Sequence, residues 1–522
     1  MAQPLSLAQS LEKYDRFPMC LLAGSNQGTT VLNQHHDRIN ESQRLLFLPD
    51  KTKFKVPIRD ITAAGTVSKI NIKNEVKLRG FLGDAPMQTL QPSQPPSNPP
   101  TIRPDPACRF VFFLTENAIA PLWLSKEMLY LLLTFYQVMP QLLDFLLVYA
   151  SPFGHDRELR FSGFRTEKNL SSPAGGSIIP ELGRSGRKYQ LCFNLKTVAL
   201  KENKQWKVRQ AAIHHQFDLG QGTQLWMIAD PHAAIKSRIG ELYNEHSTYD
   251  TSFASMEQGF KSSLDVHLAL ARWATSEWRW HVRYLEEKAE QPELTIALKE
   301  KRHIESLDPG TLSEMQRWEE KANENIMVME SNVKVMELLQ RFYRELVHDE
   351  DFPENQRRPC LQAVKNFAFQ LDELICDTRM QVDRARVLVK ILADRKAVLI
   401  QHLQMQTALA ASKLSASMYT QADRSAIETI AVRIVTIVTL IYLPATFSST
   451  LFSTDIVKYQ DDESFSSLAL YRFLQVTVPL MFLTFLGAGI WFWIEWTKRD
   501  RESQELKDQH PDLFQQWMKE KS

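Results

Sequence analysis

The sequence predicts an α+β cytoplasmic domain, a long stalk helix and a two-helix C-terminal transmembrane hairpin. Three observations predict it. Strand-like runs YQLCFNLKTVAL, WKVRQAAIHHQFDL and TQLWMIAD follow one another between Tyr189 and Asp230. No proline occurs between Pro359 and Pro444, and no glycine between Gly310 and Gly487. The chain from Cys360 to Leu443 therefore lacks the two strongest helix breakers. Two apolar runs, 434–452 and 473–496, match the ~20 residues a helix needs to cross a bilayer.

Bulk properties narrow the function. The chain has 522 residues and a net charge of +1, so no basic field points to nucleic acid, which is excluded as a partner. Mean hydropathy is mildly polar, so only short segments suit lipid. Cys20, Cys108, Cys192, Cys360 and Cys376 are odd in number and widely spaced, with neither a CxxC zinc pattern nor a disulfide framework. They fit a reducing cytosol. The N-terminus MAQPLSLAQSLEKYDR has no basic segment before an apolar core, which disfavours a cleaved signal peptide. No Walker A, nucleophile elbow, HExxH or kinase set occurs, and nothing points to an enzyme or to a bound cofactor.

Residues 1–106 read as a poorly defined N-terminal region. RLLFLPD and TVSKINIKNEVKLRGFLG resemble strands, and the proline-rich stretch 91–106 reads as an exposed loop. Residues 107–355 read as the cytoplasmic domain, opening on the strand CRFVFFL. Met128–Ala150 is apolar enough to pass for a membrane span, but Gln137, Pro140, Gln141 and Asp144 interrupt it. Two helices buried in a soluble domain are the better reading, because Pro140 breaks a helix. Residues 151–188, rich in Gly and Ser, read as loop. LGQG at 219–222 reads as a hairpin turn, too short for a nucleotide-binding glycine loop. His214 and His215 are adjacent in a strand, so their rings point to opposite faces and do not share a metal.

The pattern turns helical from Pro231. Trp273, Trp278 and Trp280 recur at helical spacing as packing residues, a second long helix covers LSEMQ to HDE, and EDFPENQRRP reads as a turn. Residues 356–433 then read as a stalk helix; as one unbroken rod, Cys360–Leu443 alone would extend roughly 126 Å. Val382, Ala385, Val389, Leu392, Leu399 and Leu403 follow three–four steps, with Lys396 interrupting. Two helices joined by a polar turn remain the alternative. Residues 434–452 are the first transmembrane helix, 453–470 an outer acidic loop, 473–496 the second transmembrane helix and 497–522 a tail beginning with Lys498, Arg499 and Arg501. Arg424 and Arg433 precede the first span, and Trp491, Trp493 and Trp496 close the second. The positive-inside rule thus places both termini in the cytoplasm.

The first span carries a hydroxyl stripe. Thr439, Leu443, Thr446 and Thr450 recur at spacings of three and four, with Val435 on the same face. A helix facing lipid has no need of hydroxyls, whereas one lining a wet path does. Two spans cannot enclose a channel, so such a path needs identical subunits around an axis, with rings of side chains selecting the ion. Threonine oxygens hold hydration water, and Val435 and Leu443 form an apolar constriction. Asp455, with Asp461, Asp462 and Glu463 in the outer loop, concentrates cations, and oxygen ligands suit hard divalent ions such as Mg²⁺. The alternative is that the threonines bind their own i−4 carbonyls and the acids are a solvated loop.

The segment LPATF, Leu443–Phe447, in this architectural setting resembles the Pro-x-Thr-Phe core of the CorA family of divalent cation channels. LWLSKEM with YQVMP, and LPATFSST followed by LF, look like the family's divergent fungal-type members. The resemblance covers residues 190 to 522, while the first 110 residues match nothing assignable. It implies a homopentamer in the lipid bilayer, expected at the plasma membrane, that carries Mg²⁺ as cargo. The family's Gly-Met-Asn signature is replaced: its slot reads Ser453-Thr454-Asp455. Thr454 then joins the pore lining, and Asp455 stands where the asparagine would meet the hydrated metal. Loss of the signature leaves a second reading, a non-conducting membrane-anchored scaffold or sensor.

Overall fold

The computed structural model describes residues 6–22, 28–83, 104–150, 159–171, 178–201, 205–230, 234–243, 252–290, 309–453 and 467–509. The chain divides into two units, Met1–Leu403 and Gln404–Ser522.

The first unit is built on a seven-stranded sheet. Its strands are β1 (Val56–Ile61), β2 (Val67–Ile72), β3 (Cys108–Leu114), β4 (Phe164–Asn169), β5 (Lys188–Leu200), β6 (Trp206–Asp218) and β7 (Gln224–Asp230), in the spatial order β2-β1-β3-β7-β6-β5-β4. β3 and β7 run parallel; every other pair is antiparallel. The three runs read as strands are β5, β6 and β7, and the turn between the last two includes Gly222 at φ 72°. Two readings are corrected. Residues 1–106 are not a separate region, because β1 pairs with β3 inside the main sheet. The stretch 151–188 is not all loop, since it holds the edge strand β4. Its polar sequence FRTEKN suits an edge, half of which meets solvent.

Helices cover both faces of the sheet. Near the N-terminus lie α1 (Leu7–Glu12), α2 (Thr29–Glu41), α3 (Gln43–Leu46) and α4 (Glu75–Leu82). RLLFLPD and the second half of TVSKINIKNEVKLRGFLG thus contribute helices where strands were expected. Asn74 caps α4 by accepting from Lys77 N, a local bond that stops β2 and starts the helix. α5 (Lys126–Phe135) and α6 (Leu142–Leu147) follow, with Pro140 between them. Every residue from Met128 to Phe135 is buried, so the span-like stretch is core helix, as its polar interruptions indicated.

The alternation of β3 explains the two cores. Phe110 and Phe112 face one side, with Tyr189, Phe193, Phe217 and Trp226. Val111 and Phe113 face the other, with Met227, Ala229 and the apolar residues of α5 and α6. The first side is covered by α7 (Ala234–Leu242), α8 (Met256–Thr275), α10 (Pro309–His348) and the start of α11 (Glu354–Phe452); α9 (Trp278–Ala289) lies between α8 and α10 in sequence. Trp273 and Trp278 are buried, but Trp280 is 48% exposed and is not a packing residue of this chain.

α11 is continuous through 99 residues, so there is no polar turn, and it begins inside the stretch read as a turn. Up to Leu403 it belongs to the first unit. Val382 and Ala385 pack with Trp278, Val282 and Val328, and Leu388, Leu392 and Leu399 pack with Leu285, Met315 and Ala322. Lys396 interrupts the apolar row because it pairs with Glu319 of α10. Arg384 pairs likewise with Glu286 of α9. From Gln404 onward α11 belongs to the second unit, which also holds α12 (Ser467–Gln509). Two segments, within Glu354–Leu451 and Leu470–Ile494, are long and apolar enough to cross a membrane.

Candidate ion pathway along the first membrane helix

Within the second unit, burial separates two faces of α11. Leu440 and Ala445 are half-buried, and Pro444 and Ser448 are buried. Leu440, Pro444 and Ser448 form one i±4 row. On α12 the covered positions are Phe473, Thr477, Met481, Thr484 and Ala488, again at steps of three and four. Small residues at such positions let two helices approach closely in lipid, where no hydrophobic force draws them together. These rows are the covered faces of the two helices.

The predicted stripe lies elsewhere on the helix. Val435 and Leu443 are 62% and 68% exposed, and Thr439, Thr446 and Thr450 are also exposed. At 100° per residue the stripe is centred roughly 140° from the covered row. The structure thus brings these five residues to a single open face. Thr454, Asp455, Asp461, Asp462 and Glu463 lie outside the described residues.

Each stripe hydroxyl donates to its own helix. Thr439 Oγ1 reaches the carbonyls of Val435 and Thr436 at 3.0 and 2.9 Å, Thr446 those of Tyr442 and Leu443 at 2.9 and 3.0 Å, and Thr450 those of Thr446 and Phe447 at 2.9 Å. The self-bonding alternative is therefore what the chain does. It does not silence the oxygens. A hydroxyl that spends its hydrogen on the backbone keeps lone pairs facing outward, the polarity that a cation or its hydration shell meets. Pro444, lacking an N–H, also removes the intrahelical bond to the Leu440 carbonyl. Sequence reasoning missed Ser448. The signal was present in LPATFSS, whose small residues Pro444, Ala445 and Ser448 mark the contact side.

Trp491 and Trp493, 73% and 63% exposed, stand near the end of the apolar part of α12, where an interfacial aromatic belt belongs. In the first unit the two adjacent histidines separate as predicted. His214 Nε2 lies 2.9 Å from Gln190 Oε1 on one face, and His215 Nδ1 lies 3.2 Å from His267 Nε2 on the other. Burial holds His214 and His267 down to about 3, so both are uncharged near pH 7. Among the described residues, no group of three or more His, Cys, Asp and Glu is arranged to hold a metal ion.

A family profile described as CorA-like transporters matches residues 9–296. No curated protein matches the chain. Among solved structures, that of the full-length CmaX protein aligns over 84% of this chain and 98% of its own, at 9% identity and a TM-score of 0.36. That likeness is too remote to carry an argument. The family match begins at residue 9, so the first 110 residues, unassignable from the sequence, lie largely within the family domain. Since the matched residues exceed half the chain, this protein belongs to the CorA-like transporters, membrane proteins that move divalent cations.

Proposed function

We propose that this chain conducts Mg²⁺ or a closely related divalent cation down its electrochemical gradient, through a pore lined by the exposed face of α11. The observation that carries the reading is the separation of faces. Leu440, Pro444 and Ser448 are covered within the chain, which leaves the exposed Val435, Thr439, Leu443, Thr446 and Thr450 for a different neighbour. One chain cannot enclose a path with two spans. A homopentamer sets five such faces around an axis, with threonine oxygens as rings for hydration water and Val435 and Leu443 as an apolar gate. Thr454 and Asp455 continue the lining outward, Asp461, Asp462 and Glu463 raise the local cation concentration, and both termini lie on the cytoplasmic side of the plasma membrane.

Aspartate in place of the family's asparagine changes the chemistry at the entrance. Five carboxylates attract a divalent ion more strongly than five amides, and discriminate less among such ions. A second reading, a membrane-anchored scaffold or sensor without conduction, is favoured by the same replacement. Flux through liposomes containing purified wild type or Asp455→Ala separates the two. Conduction predicts divalent flux that is saturable in wild type and altered in the variant. A pentamer that passes no divalent ion would establish the scaffold.

A further inference from the structure

The sheet face that packs on α5 and α6 is apolar across Val111, Phe113, Met227 and Ala229 and turns polar at one end. The register makes this happen. Glu167, Gln190 and Gln216 stand opposite one another on β4, β5 and β6, and Asn169, Lys188 and Asp218 form the next row. The rows are two residues apart along each strand, so all six side chains share one face. A cavity of about 70 Å³ lies over them, bounded on the far side by the α5–α6 turn at Gln137–Pro140.

Most polar groups here are already committed. The Asp218 carboxylate accepts from Ser185 N, Ser185 Oγ, Gly220 N and Gln221 N. Gln190 Oε1 accepts from Met139 N at 2.9 Å, and its amide nitrogen donates to the Gln137 carbonyl. The guanidinium of Arg109 is neutralised by Asp60, and that of Arg184 by Asp105. Lys188 differs. Its Nζ donates to the Gln137 carbonyl at 3.0 Å and to Gln216 Oε1 at 3.4 Å, both neutral acceptors. Among the described residues no carboxylate oxygen lies within 4.0 Å of it. A buried ammonium without a direct ion pair is costly, and burial pushes this one down to about 8 against the longer-range attraction of Glu167 and Asp218. The Gln216 amide nitrogen also makes no hydrogen bond among the described residues.

We propose that this cavity is a binding site for a small oxyanion, phosphate or the carboxylate of a small metabolite, held by Lys188 Nζ and the side-chain amide of Gln216. The anion supplies a direct ion-pair partner and fills the remaining donor positions of both groups. A water needs about 10–15 Å³ of such space, so the cavity accommodates a phosphate-sized ion but nothing as large as a nucleotide. Glu167, at the end of the first row, opposes a high anionic charge. The site lies within the first unit and the family domain, and does not depend on the ion conducted.

Titration calorimetry on the full chain in detergent, at neutral pH and constant ionic strength, tests this with inorganic phosphate, acetate and chloride. The expected result is saturable binding, one ion per chain, of phosphate or acetate, with chloride inert. Which of the two binds identifies the source. Lys188→Met should weaken that binding at least about tenfold while melting no lower than wild type, because it removes a buried charge that makes no direct ion pair. Glu167→Gln should bind as tightly or more tightly. Gln216→Leu, which keeps the lysine, should also weaken binding and serves if Lys188→Met fails to fold. Absence of saturable binding by either oxyanion, or affinity unchanged in the Lys188 and Gln216 variants, overturns the proposal.

Discussion

His267 Nε2 lies 2.9 Å from Tyr343 Oη and 3.2 Å from His215 Nδ1, so a buried polar triangle joins α8, α10 and strand β6. A ring nitrogen either donates or accepts, so these three atoms cannot complete all three bonds at once. The outer nitrogens, His215 Nε2 and His267 Nδ1, are buried with no hydrogen-bond partner among the described residues. They leave no reserve for a further proton.

The triangle predicts acid sensitivity. Burial depresses both histidines, His267 to about 3 and His215 well below its ordinary range, with His267 and His214 adding repulsion. An unfolded histidine titrates near 6.5. Below that pH the unfolded chain binds protons that the folded chain refuses, so stability is flat above about pH 6.5 and falls toward pH 3. Between pH 7.5 and 5.0 each histidine should remove about 2 kcal/mol. Tryptophan fluorescence reports the melt, because Trp226 stacks on His215 with ring centroids 3.9 Å apart. His267→Leu should flatten the pH dependence; equal melting at both pH values in wild type would refute the account.

Gly222→Ala should be strongly destabilising. Gly222 sits at φ 72° in the β6–β7 turn, and a Cβ there would meet the Cα of Met256 at 2.8 Å. That atom begins α8 and cannot rotate away as a side chain could. Left-handed strain and backbone displacement together should cost about 2–4 kcal/mol, read as a lower melting temperature. A melt within a degree of wild type would show that the turn relaxes freely.

Removing a stripe hydroxyl should affect transport without affecting assembly. Thr446→Val keeps the shape of the side chain, and the backbone can lose the hydroxyl contact without breaking the helix ladder. Divalent flux in liposomes should fall several-fold, while Phe482→Leu, exposed on α12, leaves it unchanged. Equal flux in Thr446→Val, Thr439→Val and wild type would favour the scaffold.

A chain shortened to 107–522 should fail to yield a folded domain. It lacks β1 and β2 and the α1–α4 segment, so β3 becomes a bare edge facing solvent with Phe110 and Val111 newly uncovered. Aggregation on size-exclusion chromatography is the expected outcome. A monodisperse, cooperatively melting product would mean that the first hundred residues are an addition to the fold.

By itself the sequence determined what depends on local composition and period. The runs between Tyr189 and Asp230 read as strands, and Cys360–Leu443 contains no breaker and reads as helical, while its continuity as one helix instead of two joined by a polar turn was decided by the structure. The apolar lengths of 434–452 and 473–496, and the hydroxyl period from Thr439 to Thr450, are equally local facts. Tertiary structure decided what depends on distant neighbours. Whether FRTEKN is loop or strand is settled by β5 beside it, because an edge strand has little apolar signal of its own. Val56–Ile72 becomes part of the main sheet only through pairing with β3, across a long intervening stretch. Which side of α11 is covered is decided by tertiary packing, so Ser448 acquires meaning only in the folded chain. Lys188, one lysine among many in the sequence, becomes singular only when strand register buries it between Asn169 and Asp218 with no carboxylate oxygen within 4.0 Å among the described residues.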